Sequence, residues 1–184
     1  MTQPMRVALL VMPVVNVDRP SISVTKLRDA LRRAHGERVS TEIPYAGHDF
    51  AVHLARGRRV GGRDLHDVLL DHQHVGLPDW FFHREAFPDA EDTTSRYFRR
   101  YFPGRSAEVA ELREVLLEQR EGLGTFLEGL IDAYRLDQAQ VVGFTSLFLQ
   151  CGSIFALARR IKARNPAVTI VMGGSNCDTP MGEE

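Results

Sequence analysis

Four short apolar runs alternate with longer segments of helical periodicity along the chain. The run at residues 7–12 is continuously apolar, as expected of a central strand of a parallel sheet. The apolar runs at residues 141–146 and 169–174 are separated by one helical segment, which predicts a right-handed βαβ unit. Residues 39–43 alternate apolar with polar side chains, which predicts a strand nearer the sheet edge. Because helical segments separate the strands, the pattern predicts an α/β fold with a parallel sheet.

The helical segments have recognisable start and stop signals. The first helix is predicted to begin at residues 20–21 and to end before Gly36, since glycine is common just past a helix C-terminus. A long amphipathic helix is predicted to begin at Ser106, a good N-cap residue. Glycines within residues 122–124 predict a kink or break in it. One more helix is predicted between the last two strands.

Residues 45–105 do not fit the simple alternation of strands and helices. The segment contains the chain's only tryptophan, Trp80, and is rich in phenylalanine and tyrosine. It is too long for a plain loop in a compact domain. We interpret it as a helical, aromatic-rich insertion whose rings pack on the sheet or on something outside this chain.

The sheet predicted from these elements looks incomplete at its C-terminal end. Four strands are visible, and no further helix and strand follow residue 174 to cover the open face. We therefore expect residues 1–184 to be one α/β domain and a fragment of a longer protein. The alternative is that a partner chain completes the sheet.

Composition excludes several classes of function. The formal net charge of −1 does not favour a nucleic-acid-binding domain or a polybasic membrane anchor. No apolar run approaches the roughly 20 residues that span a membrane. Cys151 and Cys177 do not make a disulfide framework. These features predict a cytoplasmic protein with free thiols.

The candidate binding chemistry lies where the third and fourth strands end. Ligands of parallel α/β sheets bind at the carboxyl ends of the strands, where Thr145, Ser146, Gly173 and Gly174 are predicted to lie. Hydroxyl groups offer hydrogen bonds, and glycine allows a backbone to approach a ligand closely. Two alternatives stay open: the hydroxyls could cap the next helix, and the glycines could form only a turn.

Residues 137–182, DQAQVVGFTSLFLQCGSIFALARRIKARNPAVTIVMGGSNCDTPMG, resemble the B12-binding-type domain at the front of cobalamin-dependent radical SAM enzymes. Within that group the chain resembles the RiPP maturation radical SAM protein 1 family, which modifies ribosomal peptides. The shared features after the last strand are Asn176–Cys177 and Met181–Gly182. The front segment MPVVNVDRPSISVTKL and the DWFF segment also resemble that family.

The resemblance implies a flavodoxin-like (Rossmann-like) fold that binds cobalamin. Such domains have three marks, and two are present: a serine and a hydrophobic residue after the third strand (Ser146–Leu147), and paired glycines after the fourth (Gly173–Gly174). The third mark is an Asp-x-His-x-x-Gly loop that supplies a histidine to cobalt. It is missing, because residues 13–21 contain no histidine.

By this resemblance, the chain is the cobalamin-binding domain of a radical SAM enzyme, a carbon methyltransferase that acts on a ribosomal precursor peptide. The radical SAM cysteine motif is not in the chain. S-adenosylmethionine and a 4Fe-4S cluster are therefore expected only in a catalytic domain that follows this chain.

No catalytic residue or metal ligand is assigned within the chain, and neither nucleic acid nor a membrane is expected as a partner. The candidate cofactor-binding residues are Asn16, Asp18, Thr145, Ser146, Leu147, Phe148, Gln150, Gly173, Gly174, Ser175 and Asn176. The alternative function is a domain of the same fold without cofactor, which docks a precursor peptide or a partner enzyme.

Overall fold

The structure of the chain is a computed structural model that describes residues 3–178. These residues form four β-strands and eight α-helices, joined by loops and short 3₁₀ turns, with six consecutive helices between the second and third strands. In chain order the elements are β1 (Met5–Val11), α1 (Ile22–His35), β2 (Val39–Glu42), α2 (Ala46–Ala55), α3 (Leu65–Asp71), α4 (Leu77–Ala86), α5 (Thr94–Tyr101), α6 (Ala107–Glu121), α7 (Leu123–Tyr134), β3 (Val141–Thr145), α8 (Cys151–Arg164) and β4 (Thr169–Gly173).

The four strands form one parallel sheet in the order β2-β1-β3-β4. This is the strand order of a flavodoxin-like fold, so the predicted α/β class is confirmed. The register pairs Val11 with Thr145, and Thr145 with Gly173. The carboxyl ends of β1, β3 and β4 therefore lie side by side at one edge.

Most helices cover one face of the sheet. Alternate residues of β1 on this face, Ala8 and Leu10, share a single hydrophobic cluster with α2, α3, α4, α6, α7 and α8. The ring of Phe50 contacts those of Phe81 and Phe82 at centroid distances of 6.2 and 5.3 Å. The predicted aromatic-rich insertion is thus helical, and most of its rings pack in the core on this side of the sheet, although Phe87 and Tyr101 are exposed.

The opposite face is covered much less completely. Within residues 3–178 only α1 packs there, and Val24 is its one buried residue, in contact with a small cluster that includes Leu9. The periodicity that predicted α1 also placed Ile22 on its apolar stripe, yet Ile22 is 70% exposed. Val171 of β4 is half-exposed on the uncovered part of the sheet.

The helix boundaries agree with the sequence signals. The Ser106 side chain caps α6 by accepting a hydrogen bond from the Val109 amide at 3.3 Å. The predicted long helix is broken at Gly122 into α6 and α7. Gly36 ends α1 with a φ of 56°, a conformation that favours glycine. Between residues 3 and 178, none of the helices is long and apolar enough to cross a membrane.

Two histidines beside the main core predict how stability depends on pH. Burial lowers the pKa of His53 and His66, and neither Nε2 atom has a hydrogen-bond partner among residues 3–178. In the unfolded chain both titrate near their ordinary pKa of about 6.5. Protonation therefore favours the unfolded state, so stability is retained above about pH 6.5 and is lost as the pH falls towards the lowered folded-state values.

We expect the urea midpoint to fall between about pH 7 and pH 5.5. A double variant, His53→Gln with His66→Gln, should show a flatter profile over the same range. His35→Gln, a change at an exposed histidine, is the control and should retain the wild-type slope. Identical slopes in all three proteins would contradict this assignment.

Candidate functional site

A cavity of about 580 Å³ lies on the thinly covered face of the sheet, between α1 and strands β1, β3 and β4. It extends to the carboxyl ends of β3 and β4, where Thr145, Gly173 and Gly174 line it. The rest of its wall is mainly aliphatic. The aliphatic residues are Met5, Val7, Leu9, Val24, Leu27, Leu31, Val39, Val141 and Val171.

Two hydroxyl groups stand at the carboxyl-end mouth of this cavity. Ser23 Oγ in the first turn of α1 lies 3.5 Å from Thr145 Oγ1 at the end of β3. The N-cap residue of α1, Ser21, makes no side-chain cap hydrogen bond, and the first turn contains no acidic residue. A helix N-terminus with free amide groups and no acidic side chain favours an anion. The mouth is therefore polar and suited to negative charge, while the interior is apolar.

Glycines shape the cavity wall. A β-carbon on Gly143 would lie 2.9 Å from Leu9 Cδ2, so a side chain there would displace its neighbour. At Gly173 a β-carbon would meet nothing within 4 Å, which leaves open space at the cavity's end. Sequence reasoning missed Gly143 and all the α1 residues of the wall. A glycine inside a strand was the available signal, because it often marks a close approach.

Gly174 packs directly on the backbone of Ser146. A β-carbon at Gly174 would lie 2.2 Å from the Ser146 carbonyl oxygen, and the φ of Gly174 is 108°. The Ser146 amide donates a 2.7 Å hydrogen bond to the Gly173 carbonyl. This contact joins the loops after β3 and β4, and a larger residue at position 174 would separate them.

The side chain of Ser146 faces the protein interior. It is fully buried, and its Oγ accepts a 2.8 Å hydrogen bond from Asn176 Nδ2. Asn176 also donates to the Phe148 carbonyl and lies 3.4 Å from Cys151 Sγ. Ser146 and Asn176 thus hold the two loops together and do not line the cavity, and Ser175 is exposed beside them.

Gln150 joins the same region to the loop after β1. Its Oε1 accepts from the Leu147 amide at 2.9 Å, and its Nε2 donates to the Met12 carbonyl at 2.7 Å. Ser153 Oγ donates to the Pro13 carbonyl, also at 2.7 Å. Since Gln150 is buried, its role in the described chain is to fix the β3–α8 loop relative to the first loop.

Leu147 and Phe148 form an apolar protrusion at the carboxyl edge of the sheet. They are 49% and 67% exposed. Phe148 also has a φ of 51°, which is uncommon for a residue with a side chain. Residues held in such conformations cluster at ligand-binding sites, where surrounding contacts maintain them.

The predicted residues of the first loop lie apart from the cavity wall. Asn16 Oδ1 accepts a 2.8 Å hydrogen bond from the Asp18 amide, which forms a turn, and both side chains are exposed. A histidine that sequence reasoning did not consider contacts this loop: His48 Nε2, on α2, lies 2.8 Å from the Val17 carbonyl.

Asp79 is a second polar residue that sequence reasoning missed near this edge. From α4, its Oδ1 accepts a 2.8 Å hydrogen bond from the Gly152 amide in the first turn of α8. Burial raises the pKa of Asp79, and the hydrogen bond from Gly152 opposes that shift. The contact links residues far apart in sequence, so no local pattern predicts it.

Within residues 3–178 no group of three or more His, Cys, Asp and Glu side chains is arranged to hold a metal ion. Met181–Gly182, which contributed to the family resemblance, lie outside the described residues.

The fold and the cavity together define an α/β protein of flavodoxin-like strand order with an apolar pocket on one face of its sheet that reaches the carboxyl ends of β3 and β4. No protein-family model, no curated protein and no solved structure matches the chain.

Proposed function

We propose that the chain is the cobalamin-binding domain of a radical SAM enzyme, a carbon methyltransferase that modifies a ribosomal precursor peptide in the cytoplasm. The observation that carries this proposal is the apolar cavity of about 580 Å³ ending at Thr145, Gly173 and Gly174. Its volume is within the range of pockets that enclose small ligands and cofactors, about 300–1,000 Å³.

The cavity fits the nucleotide tail of cobalamin. That tail ends in a flat, apolar aromatic base, and the aliphatic wall of the cavity suits such a group. The tail also carries a phosphate and a ribose. Ser23 and Thr145 can donate hydrogen bonds to them, and the free N-terminus of α1 favours the phosphate charge.

The corrin ring would lie over the carboxyl edge of the sheet. There Leu147 and Phe148 offer an apolar surface, and Asn16 and Asp18 lie exposed on the first loop within the same edge. Residues 13–21 hold no imidazole, so in this proposal the first loop gives cobalt no nitrogen ligand. When bound, methylated cobalamin supplies the methyl group. The chain's residues bind and orient it against a catalytic domain that carries S-adenosylmethionine and a 4Fe-4S cluster.

The test uses a variant that fills the cavity without disturbing the fold. Since a side chain at Gly173 would extend into open space, Gly173→Leu should occupy part of the cavity. We expect it to weaken hydroxocobalamin binding at least about tenfold, equivalent to about 1.4 kcal/mol. Binding is followed by the visible spectrum of cobalamin retained after desalting and by calorimetric titration.

Gly129→Leu is the matched control, because Gly129 is exposed on α7 and a β-carbon there also meets nothing within 4 Å. This variant should bind hydroxocobalamin as the wild type does. If the wild-type protein retains no cobalamin, cofactor binding is refuted and the alternative of a cofactor-free docking domain is favoured. If the Gly173→Leu protein binds hydroxocobalamin with the affinity of the wild type, the cofactor does not occupy this cavity.

A further inference from the structure

A second groove lies on the opposite side of the sheet from the cavity, between α5 and α6. It has a volume of about 720 Å³ and is formed by the end of α5, the connection through Pro103 and Gly104, and the first turns of α6. Its floor is apolar: Phe98 is buried, and Phe102, Val109 and Leu117 are partly buried. None of these residues belongs to the cavity proposed for cobalamin.

Three arginines surround this floor. Arg99, Arg105 and Arg113 line the groove and are exposed. None of them forms an ion pair with any residue between positions 3 and 178, and Arg113 only places its guanidinium 5.5 Å from the Phe98 ring centroid. The one carboxylate in the described groove lining, Glu114, is already engaged by Arg58 at 2.6 Å.

Nine of the eighteen arginines outside the groove pair with a carboxylate among residues 3–178. Arg160 pairs with Glu85 and Glu128, and Arg164 pairs with Glu128 and Asp132. In a protein whose formal net charge is −1, three unpaired guanidinium groups around one groove are a local excess of positive charge. A ligand that matches this groove is therefore negatively charged. It also carries apolar groups between its anionic groups, which pack on the apolar floor.

We propose that this groove binds an acidic, amphipathic peptide segment of a partner protein. Guanidinium groups bind carboxylates through paired hydrogen bonds, and arginine clusters are a common means of recognising acidic motifs. Apolar side chains of the same peptide would pack on Phe102, Val109 and Leu117. This groove is separate from the cavity, so the inference does not depend on cobalamin binding.

A peptide fits the groove better than a nucleic acid does. Phe98 is only 4% exposed, so its ring offers no free face on which a base could stack. The overall charge of −1 would also repel a polyanion, whereas a short acidic segment needs only the local arginines. An oligonucleotide of equal charge is accordingly included as a competitor in the test.

The experiment measures fluorescence anisotropy of a short labelled peptide in which glutamates are interspersed with leucines, added to the full chain without cobalamin. We expect saturable binding that weakens when serines replace the leucines. The double variant Arg99→Gln with Arg105→Gln should bind about tenfold more weakly, equivalent to about 1.4 kcal/mol. Neither side chain makes a hydrogen bond or an ion pair within residues 3–178, so the double variant should fold normally.

The matched control is Arg33→Gln with Arg159→Gln, which removes the same charge at two exposed arginines outside the groove. Its affinity should stay within about twofold of the wild type, since distant exposed charges are screened by salt. The proposal is overturned if the control weakens binding as much as the groove variant. It is also overturned if the peptide does not bind, or if the oligonucleotide binds more tightly than the peptide.

Discussion

Replacing Gly174 by alanine is expected to lower the free energy of unfolding by about 3 kcal/mol. The new β-carbon would lie 2.2 Å from the Ser146 carbonyl oxygen and 2.9 Å from the Ser146 amide nitrogen. Both are backbone atoms of a buried residue, so the clash cannot be relieved by rotating a side chain. The φ of 108° adds strain, because residues with a β-carbon rarely adopt it. Urea unfolding followed by circular dichroism measures the loss.

Gly173→Ala is the adjacent control for this prediction. Its β-carbon meets nothing within 4 Å and its φ is unexceptional, so we expect a change within about 0.5 kcal/mol. Relief of the clash by movement of the last loop would break the hydrogen bond from Asn176 to Ser146 and uncover Cys151. In a Cys177→Ser background, Cys151 should then react faster with a thiol reagent. Equal stability of the two glycine variants would contradict the prediction.

Local sequence patterns predicted most of the fold. Buried parallel strands need apolar side chains on both faces, so the runs that became β1 and β3 were visible without any tertiary information. Helix ends depend on nearby groups, which explains why Ser106 and Gly36 marked the ends of α6 and α1 correctly. The flavodoxin-like strand order was implied only by the family resemblance and not by any single residue.

The open face of the sheet could not be predicted in the same way. Periodicity identifies which side of a helix is apolar, but it does not say how much of that side a neighbouring element covers. Leu27 and Ile22 lie on the predicted stripe of α1 and are nevertheless exposed by 48% and 70%. The cavity exists because α1 alone covers this face within the described chain. Its volume depends on three-dimensional packing.

The candidate site was predicted in part for a topological reason. Parallel strands end at one edge, which brings Thr145 next to Gly173 whatever the details of packing. The hydrogen bonds from Asn176 to Ser146 and from Gln150 to Met12 connect residues 30 and 138 positions apart. No local pattern encodes such contacts. The sequence therefore identified these residues but not their partners.

The two binding surfaces proposed here lie on opposite faces of the sheet and differ in chemistry. The cavity under α1 is aliphatic with a hydroxyl-bearing mouth, whereas the groove at α5 and α6 is surrounded by unpaired guanidinium groups. A cofactor and a peptide could consequently bind at the same time. Arg120 lies on α6, the helix that forms one side of the groove, and its hydrogen bonds join α6 to α4 and α5.

Arg120→Ala is expected to lower the free energy of unfolding by about 4 kcal/mol. Arg120 is 7% exposed, and its guanidinium lies 4.1 Å from the centroid of Trp80. Its Nε donates to the Phe81 carbonyl and its Nη1 to Thr94 Oγ1, both at 3.2 Å. Truncation would leave these acceptors without their donor and open a cavity beneath the indole ring. Urea unfolding monitored by Trp80 fluorescence reports both the loss of stability and the change around the ring.

Arg84→Ala is the matched control, because Arg84 is exposed and only pairs with Glu121 at 2.6 Å. An exposed ion pair stabilises little, so this variant should lose less than about 1 kcal/mol. Arg120→Lys separates charge from geometry: it keeps a cation, but a lysine ammonium lacks the planar fork that stacks on the ring while donating to two acceptors. We expect Arg120→Lys to recover less than half of the free energy of unfolding that Arg120→Ala loses. Two results would contradict this prediction. One is full recovery of stability in Arg120→Lys, and the other is a loss in Arg120→Ala no larger than that in Arg84→Ala.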